Sequence, residues 1–262
     1  MKRPIMVLIL AVMVSAPLAL LALPPTSAGA QSATTTEQVL PDLGMARFNN
    51  ISIDNSSIFG KRLLRFDATI VNVGAGPFEL RGQRADTNSP WTVRQRIYNS
   101  DGSYGDVDTP ANLIWGGDGH NHWHVNNLES YELDRLDNGV KVGTGAKSGF
   151  CFFDSVRYRL TLPQAPQSAQ YTSSNSCAWG NQSALEATLG LSIGWGDLYS
   201  HTLPDQYIDI TGLTAGRYRL KGTADPSGWF TEGATSNNST WVDLHIKGRG
   251  SSVKVLRYGP SA

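Results

Sequence analysis

Leu128-Glu129-Ser130-Tyr131-Glu132-Leu133-Asp134-Arg135-Leu136 runs into Asp137-Asn138-Gly139 and then Val140-Lys141-Val142. Apolar and polar side chains alternate along the first part, the period of a strand with one face on a core. Asp-Asn-Gly supplies residues that tolerate the positive φ of a tight turn, so the stretch predicts a β-hairpin. The same alternation recurs at 62–73, 91–98, 129–136, 207–210, 218–223 and 240–246. Clusters such as Gly74-Ala75-Gly76-Pro77 punctuate these runs. Helical signal is thin, its best stretch being 183–189, and there is no internal repeat. The fold class that follows is all-β: an antiparallel β-sandwich with long loops and little helix. One such loop is expected at 163–176, rich in Gln, Ser, Thr and Asn.

The chain opens with Lys2 and Arg3, an apolar stretch over 4–24, and Ala28-Gly29-Ala30. That order fits a secretory signal peptide over residues 1–30, with the mature chain starting near Gln31. An uncleaved membrane anchor is the competing reading; Pro17 and the small-residue cleavage pattern favour removal. Nothing later is long and apolar enough to cross a membrane, so a secreted protein without stable membrane insertion is expected. Residues 31–39 are Ser-, Thr- and Ala-rich without periodicity and read as a disordered lead, which leaves 40–258 as the folded domain.

Without residues 1–30 the chain carries 20 Lys plus Arg against 22 Asp plus Glu, a balance with no footprint for nucleic acid. Roughly 225 residues can bury one sizeable core. Cys151 and Cys177 are the only cysteines, and in an oxidising compartment the pair reads as a disulfide that holds the base of the 163–176 loop.

Three of the five histidines fall in Gly119-His120-Asn121-His122-Trp123-His124. On a strand they share one face, a metal-ligand pattern, but a flat strand would separate the outer two by about 13 Å at roughly 3.3 Å per residue. One ion can therefore take His120, His122 and His124 only if the chain bends, and Gly116, Gly117 and Gly119 give that freedom. Imidazoles suit copper, zinc, iron and nickel, and the residues alone do not choose. A zinc β-lactamase pattern is absent, because His124 is followed by Val125, and so is a helical zinc-protease motif. His201 and His245 stand alone and read as surface or hydrogen-bonded residues, although His201 lies two positions after Tyr199. Trp179, Trp195 and Trp229 are candidates for an aromatic entrance.

The stretch from Trp115 through His120, His122 and His124 to Tyr131 resembles the copper-binding region of lysyl oxidases. Gly145-Ala146-Lys147-Ser148-Gly149-Phe150-Cys151 resembles the family segment that carries the cofactor lysine. Asp197-Leu198-Tyr199, with Tyr207-Ile208-Asp209-Ile210-Thr211 after it, resembles the segment that carries the cofactor tyrosine. Weaker echoes lie at Leu64-Arg65-Phe66, Asn72-Val73-Gly74 and Asn237-Asn238, so the likeness covers roughly residues 40–247.

The resemblance implies Cu(II) bound by His120, His122 and His124, and a lysine tyrosylquinone formed from Lys147 and Tyr199. It implies an amine oxidase that turns primary amines, peptidyl lysine or small amines, into aldehyde, ammonia and hydrogen peroxide with O₂. Asp197 resembles the acidic residue two places before the family tyrosine and is the candidate catalytic base; its other reading is a turn cap after Gly194-Trp195-Gly196. This chain departs from animal members in having one cysteine pair and a differently composed stretch between Cys151 and Tyr199. Two other readings belong to other classes: a non-catalytic secreted copper-binding β-sandwich, and a metal-stabilised adhesion or carbohydrate-binding sandwich.

Overall fold

A computed structural model describes residues 36–116, 121–248 and 252–262. The proposed signal peptide over 1–30, the lead up to residue 35, and His120 with Gly117 and Gly119 lie outside the described residues. Within them the chain is all-β, with several antiparallel sheets, long loops and no helix.

In chain order the first strands are β1 (Gln38–Val39), β2 (Leu43–Met45), β3 (Asn49–Asp54), β4 (Leu63–Asn72), β5 (Phe78–Gln83), β6 (Thr92–Asn99) and β7 (Tyr104–Asp108). Then come β8 (Leu113–Trp115), β9 (Trp123–Asn126), β10 (Glu129–Arg135), β11 (Lys141–Thr144), β12 (Gly149–Phe150) and β13 (Val156–Arg157). The last are β14 (Glu186–Leu191), β15 (Trp195–Tyr199), β16 (Tyr207–Asp209), β17 (Gly216–Ala224), β18 (Ser239–Lys247) and β19 (Ser252–Tyr258).

Each run that alternates in the sequence is a strand, its ends displaced by one or two residues. The opening hairpin is β10–β11. Its turn closes through Arg135 N–H to Val140 O and Gly139 N–H to Arg135 O, both 2.9 Å, with Gly139 at φ 69°. Strand β10 continues onto β17, β18 and β19. The longest strand, β4, is the organising element of a second sheet: β15 and β16 pair with it on different stretches, as do β2 and β3. A small sheet in the order β12-β9-β8 carries the histidine segment. The inward faces share one apolar core that includes Phe48, Phe66, Tyr131, Phe150 and Tyr199.

Two expectations change. Residues 183–189 are not helical: β14 takes their second half and pairs with β5 from Glu186↔Gln83 to Leu191↔Phe78. Ala187, Leu189 and Leu191 face inward with a period of two, and the ladder supplies backbone partners that a short local helix would have had to find in itself. In the lead, Gln38–Val39 already pair with Asn99 and Tyr98, so the sheet takes the chain in two residues ahead of Leu40.

Candidate functional site

The histidine segment approaches β9 through a bend. Gly116 N–H bonds His122 O at 2.8 Å, and the strand proper begins at Trp123, which pairs with Trp115. His122 therefore sits before the regular ladder and His124 within it, and both are buried. Their rings turn toward each other until the two Nε2 atoms are 2.8 Å apart. Two imidazole nitrogens this close could serve as neighbouring ligands of one ion, and imidazoles suit copper among other metals. Among the described residues no third His, Cys, Asp or Glu completes a metal cluster.

The surroundings are shaped to these rings. Trp179 lies against His122 with centroids 4.0 Å apart and planes inclined by 35°. His124 packs on the backbone of Gly149, where a Cβ would come within 2.9 Å of Nδ1 and so push the ring away. Beside Trp179 opens a cleft of about 450 Å³ whose walls include Arg81, Arg94, Arg96, Asn175 and Glu186.

Lys147 and Tyr199, far apart in sequence, come together. Gly145 bridges to Ile208 and Ala146 N–H bonds Tyr207 O at 2.9 Å, which directs the next residue inward. The Lys147 side chain is fully buried, with Nζ 3.0 Å from Asp205 Oδ2 and 5.3 Å from the Tyr199 ring centroid. Tyr199, on β15 opposite Ala68, donates its hydroxyl to Cys151 O at 2.8 Å and meets the Phe150 ring edge-on. Burial and the carboxyls of Asp197 and Glu129 hold its phenol well above the usual tyrosine range.

Asp197 projects to the same side of β15 as Tyr199 and is buried. Desolvation raises its carboxyl to about 7, against the lowering influence of the Ser155 and Tyr199 hydroxyls and the Lys147 charge. Its Oδ2 finds no hydrogen-bond partner among the described residues. The turn-cap reading of Asp197 does not describe this inward position.

The Cys151–Cys177 disulfide joins the two halves of the site. Cys177 O accepts from Trp123 N–H, between the two histidines, while Cys151 O accepts from the Tyr199 hydroxyl.

Other candidates fall elsewhere. His201 bonds Asp67 through both its backbone N–H and Nδ1, each at 2.7 Å, and so fixes the loop after Tyr199. His245 lies on β18 between Arg217 and Lys254. Trp195 is buried with Nε1 donating to Pro166 O, and Trp229 packs on the core, so of the three tryptophans only Trp179 borders the histidines.

Sequence reasoning missed Glu129, Tyr131, Asp205 and Gln206, all next to Lys147 or its neighbours. A signal existed for Glu129. It shares the inward phase of β10 with Tyr131 and Leu133, so alternation places a carboxyl in the core.

Comparison with known proteins covers this part of the chain. The family model described as lysyl oxidase matches residues 106–256. Lysyl oxidase homolog 3 of Homo sapiens is 27% identical over 179 residues, 68% of this chain and 18% of that protein. Lysyl oxidase homolog 1 of Homo sapiens is 30% identical over 134 residues, 50% of this chain and 20% of that protein. Lysyl oxidase homolog 2 of Xenopus laevis is 30% identical over 179 residues, 68% of this chain and 18% of that protein. The matched stretch thus spans no more than a fifth of these relatives' own length.

Proposed function

This chain belongs to the lysyl oxidase family, and from that membership we propose that it is a copper- and quinone-dependent amine oxidase acting on primary amines outside the reducing cytoplasm. His122 and His124, with His120, would hold Cu(II), and Lys147 with Tyr199 would form lysine tyrosylquinone. Once formed, that group supplies the carbonyl chemistry and the electron sink by which a primary amine becomes an aldehyde, with O₂ as final acceptor and ammonia and hydrogen peroxide as products. The substrate class is a primary amine, the ε-amine of peptidyl lysine or a small amine.

The observation that carries this reading is the burial of Lys147 against the Tyr199 ring, 5.3 Å from Nζ to centroid. Lysines are almost never fully buried unless paired, and here the pair with Asp205 sets the ammonium beside the Tyr199 ring. Asp197 is the group suited to take a proton from the substrate carbon. Its carboxyl, raised to about 7, is ionised in part at neutral pH and still basic enough to accept one. Phe150, packed between Tyr199 and Tyr131, keeps water from the ring. The disulfide supports an oxidising compartment.

Peptide mass spectrometry of protein matured with copper and O₂ tests the reading. A covalent link between the Lys147 and Tyr199 peptides is expected, together with amine-dependent peroxide release that Lys147→Ala and Tyr199→Phe abolish. Unlinked peptides from folded, copper-loaded protein would replace the oxidase with a non-catalytic copper-binding member of the family.

A further inference from the structure

Around Lys147, seven buried side-chain atoms find no hydrogen-bond partner of ordinary geometry among the described residues: Glu129 Oε1 and Oε2, Tyr131 OH, Asp197 Oδ2, Asp205 Oδ1, and Gln206 Oε1 and Nε2. They form one cluster. Glu129 feels the charges of Asp197 and Lys147, and the Tyr131 hydroxyl has Glu129 and Gln206 close by, with the Asp205 charge near. Three elements contribute, β10, β15 and the chain entering β16, so the recess is built from parts distant in sequence.

Among the described residues, three carboxyls, on Glu129, Asp197 and Asp205, lie near the one ammonium of Lys147. Burying a carboxyl without a partner costs free energy, whereas an apolar side chain at the same place would stabilise the fold. The inward phase of β10 accepts Leu133 two pairs further on with no such cost. Gln206 is fully buried beside the Tyr131 hydroxyl, with neither amide atom in a hydrogen bond of ordinary geometry among the described residues.

Lys147 shows what the recess receives. Its Nζ occupies the recess now, bonded to Asp205. In the reading above, on which this step rests, that nitrogen becomes bound to an aromatic ring, and such a nitrogen carries no positive charge at neutral pH. The carboxyls then face a space that no longer holds the Lys147 charge. We propose that this acid-lined recess is the seat of the substrate's primary ammonium group, with Glu129 and Asp205 as its hydrogen-bond acceptors and Lys147 as its occupant until the cofactor is made. The N–H donors of a primary ammonium match the open oxygens of Glu129 and Asp205, whereas a quaternary ammonium has the charge and no donor. Burial raises both carboxyls, Glu129 to about 8 and Asp197 to about 7, and the Lys147 charge lowers each, so a second cation in the recess would lower them further.

The test uses the full chain prepared without copper, in which the link cannot form. Lys147→Ala opens the recess. Its melting temperature is expected to rise with ethylammonium chloride and not with tetramethylammonium chloride at the same ionic strength. Lys147→Met, which removes the charge but fills the space, should respond to neither. Adding Glu129→Gln to Lys147→Ala should weaken ethylammonium binding about tenfold or more, the loss expected of one hydrogen bond to a charged group. If Lys147→Ala does not fold alone, its refolding yield in the two salts is the readout. Equal response to both cations, or to neither, overturns the proposal. A wild-type protein that forms the Lys147–Tyr199 link while Lys147→Ala shows no preference overturns the ammonium seat alone. Ethylammonium selectivity without the link supports the seat and removes the oxidase reading.

Discussion

Replacing Cys151 and Cys177 together by alanine removes the one covalent tie between the histidine segment and the tyrosine side of the site. The bonded cysteines are 26 positions apart, and a loop of that size is worth about 3.5 kcal/mol through the lost freedom of the unfolded chain. With a urea slope near 3 kcal/mol per molar, at the upper end for small proteins, the midpoint should fall by about 1.2 M. Either single substitution should cost nearly as much, because each removes the whole cross-link. The assay is urea unfolding of copper-free protein followed by tryptophan fluorescence. Copper binding should weaken in the same variant, since Cys177 O holds Trp123 N–H between the two histidines. A stability loss below about 1 kcal/mol at unchanged slope would refute the argument, because it would mean that the β core alone keeps both halves of the site in place.

Stability should also fall as pH rises from about 7 to about 9, above the ordinary histidine range. Burial raises the carboxyls of Glu129, Asp197 and Glu232 to about 8, about 7 and about 7. The folded chain there holds protons that the unfolded chain has released near pH 4. Urea midpoints at the two ends of that window check the sign, and Glu129→Gln should flatten the upper part of the decline; equal midpoints in the wild type would contradict it. Gly149→Ala places a methyl group 2.9 Å from His124 Nδ1 and should lower copper affinity about tenfold or more, as disturbed support of a ligand does. A competition titration with a copper chelator measures this, and unchanged affinity in a variant of unchanged circular dichroism would count against His124 as a ligand.

The strands were legible because both ends of the pattern were local. Residues 207–210 and 240–246 alternate, and each finds its ladder at that phase. Stretch 183–189 misled because Ala184, Leu185, Glu186, Ala187 and Leu189 are good helix formers, while the strand that claims them, β5, lies about a hundred residues earlier. The histidine spacing showed a common face but not the bend at His122 that brings two Nε2 atoms together, nor Trp179 lying on that ring. Lys147 and Tyr199 were legible only through family resemblance, since neither residue type is rare. Glu129 is hidden because polar residues of an alternating strand usually face solvent, and here the phase set by Tyr131 and Leu133 turns it inward.

Why Asp205 and Gln206 reach Lys147 follows from β4. Tyr199 pairs with Ala68 and Tyr207 with Arg65, so the loop over residues 200–206 must leave β4 and return to it within three ladder positions. Two side chains on the face of β4 opposite Phe66 and Ala68 hold it there. Asp67 takes the His201 backbone N–H and ring, and Arg65, itself bonded to Asp54, donates Nη1 to the carbonyls of His201 and Leu203. The loop has no regular structure to position Asp205, and a free loop could not hold a carboxylate 3.0 Å from a buried ammonium. Its precision comes from the same strand that positions Tyr199. The tyrosine ring, the lysine's counter-charge and the recess around both are therefore referred to one rigid element, while His124 sits on a separate sheet, with His122 just before its strand, coupled to that element through Phe150 and the disulfide.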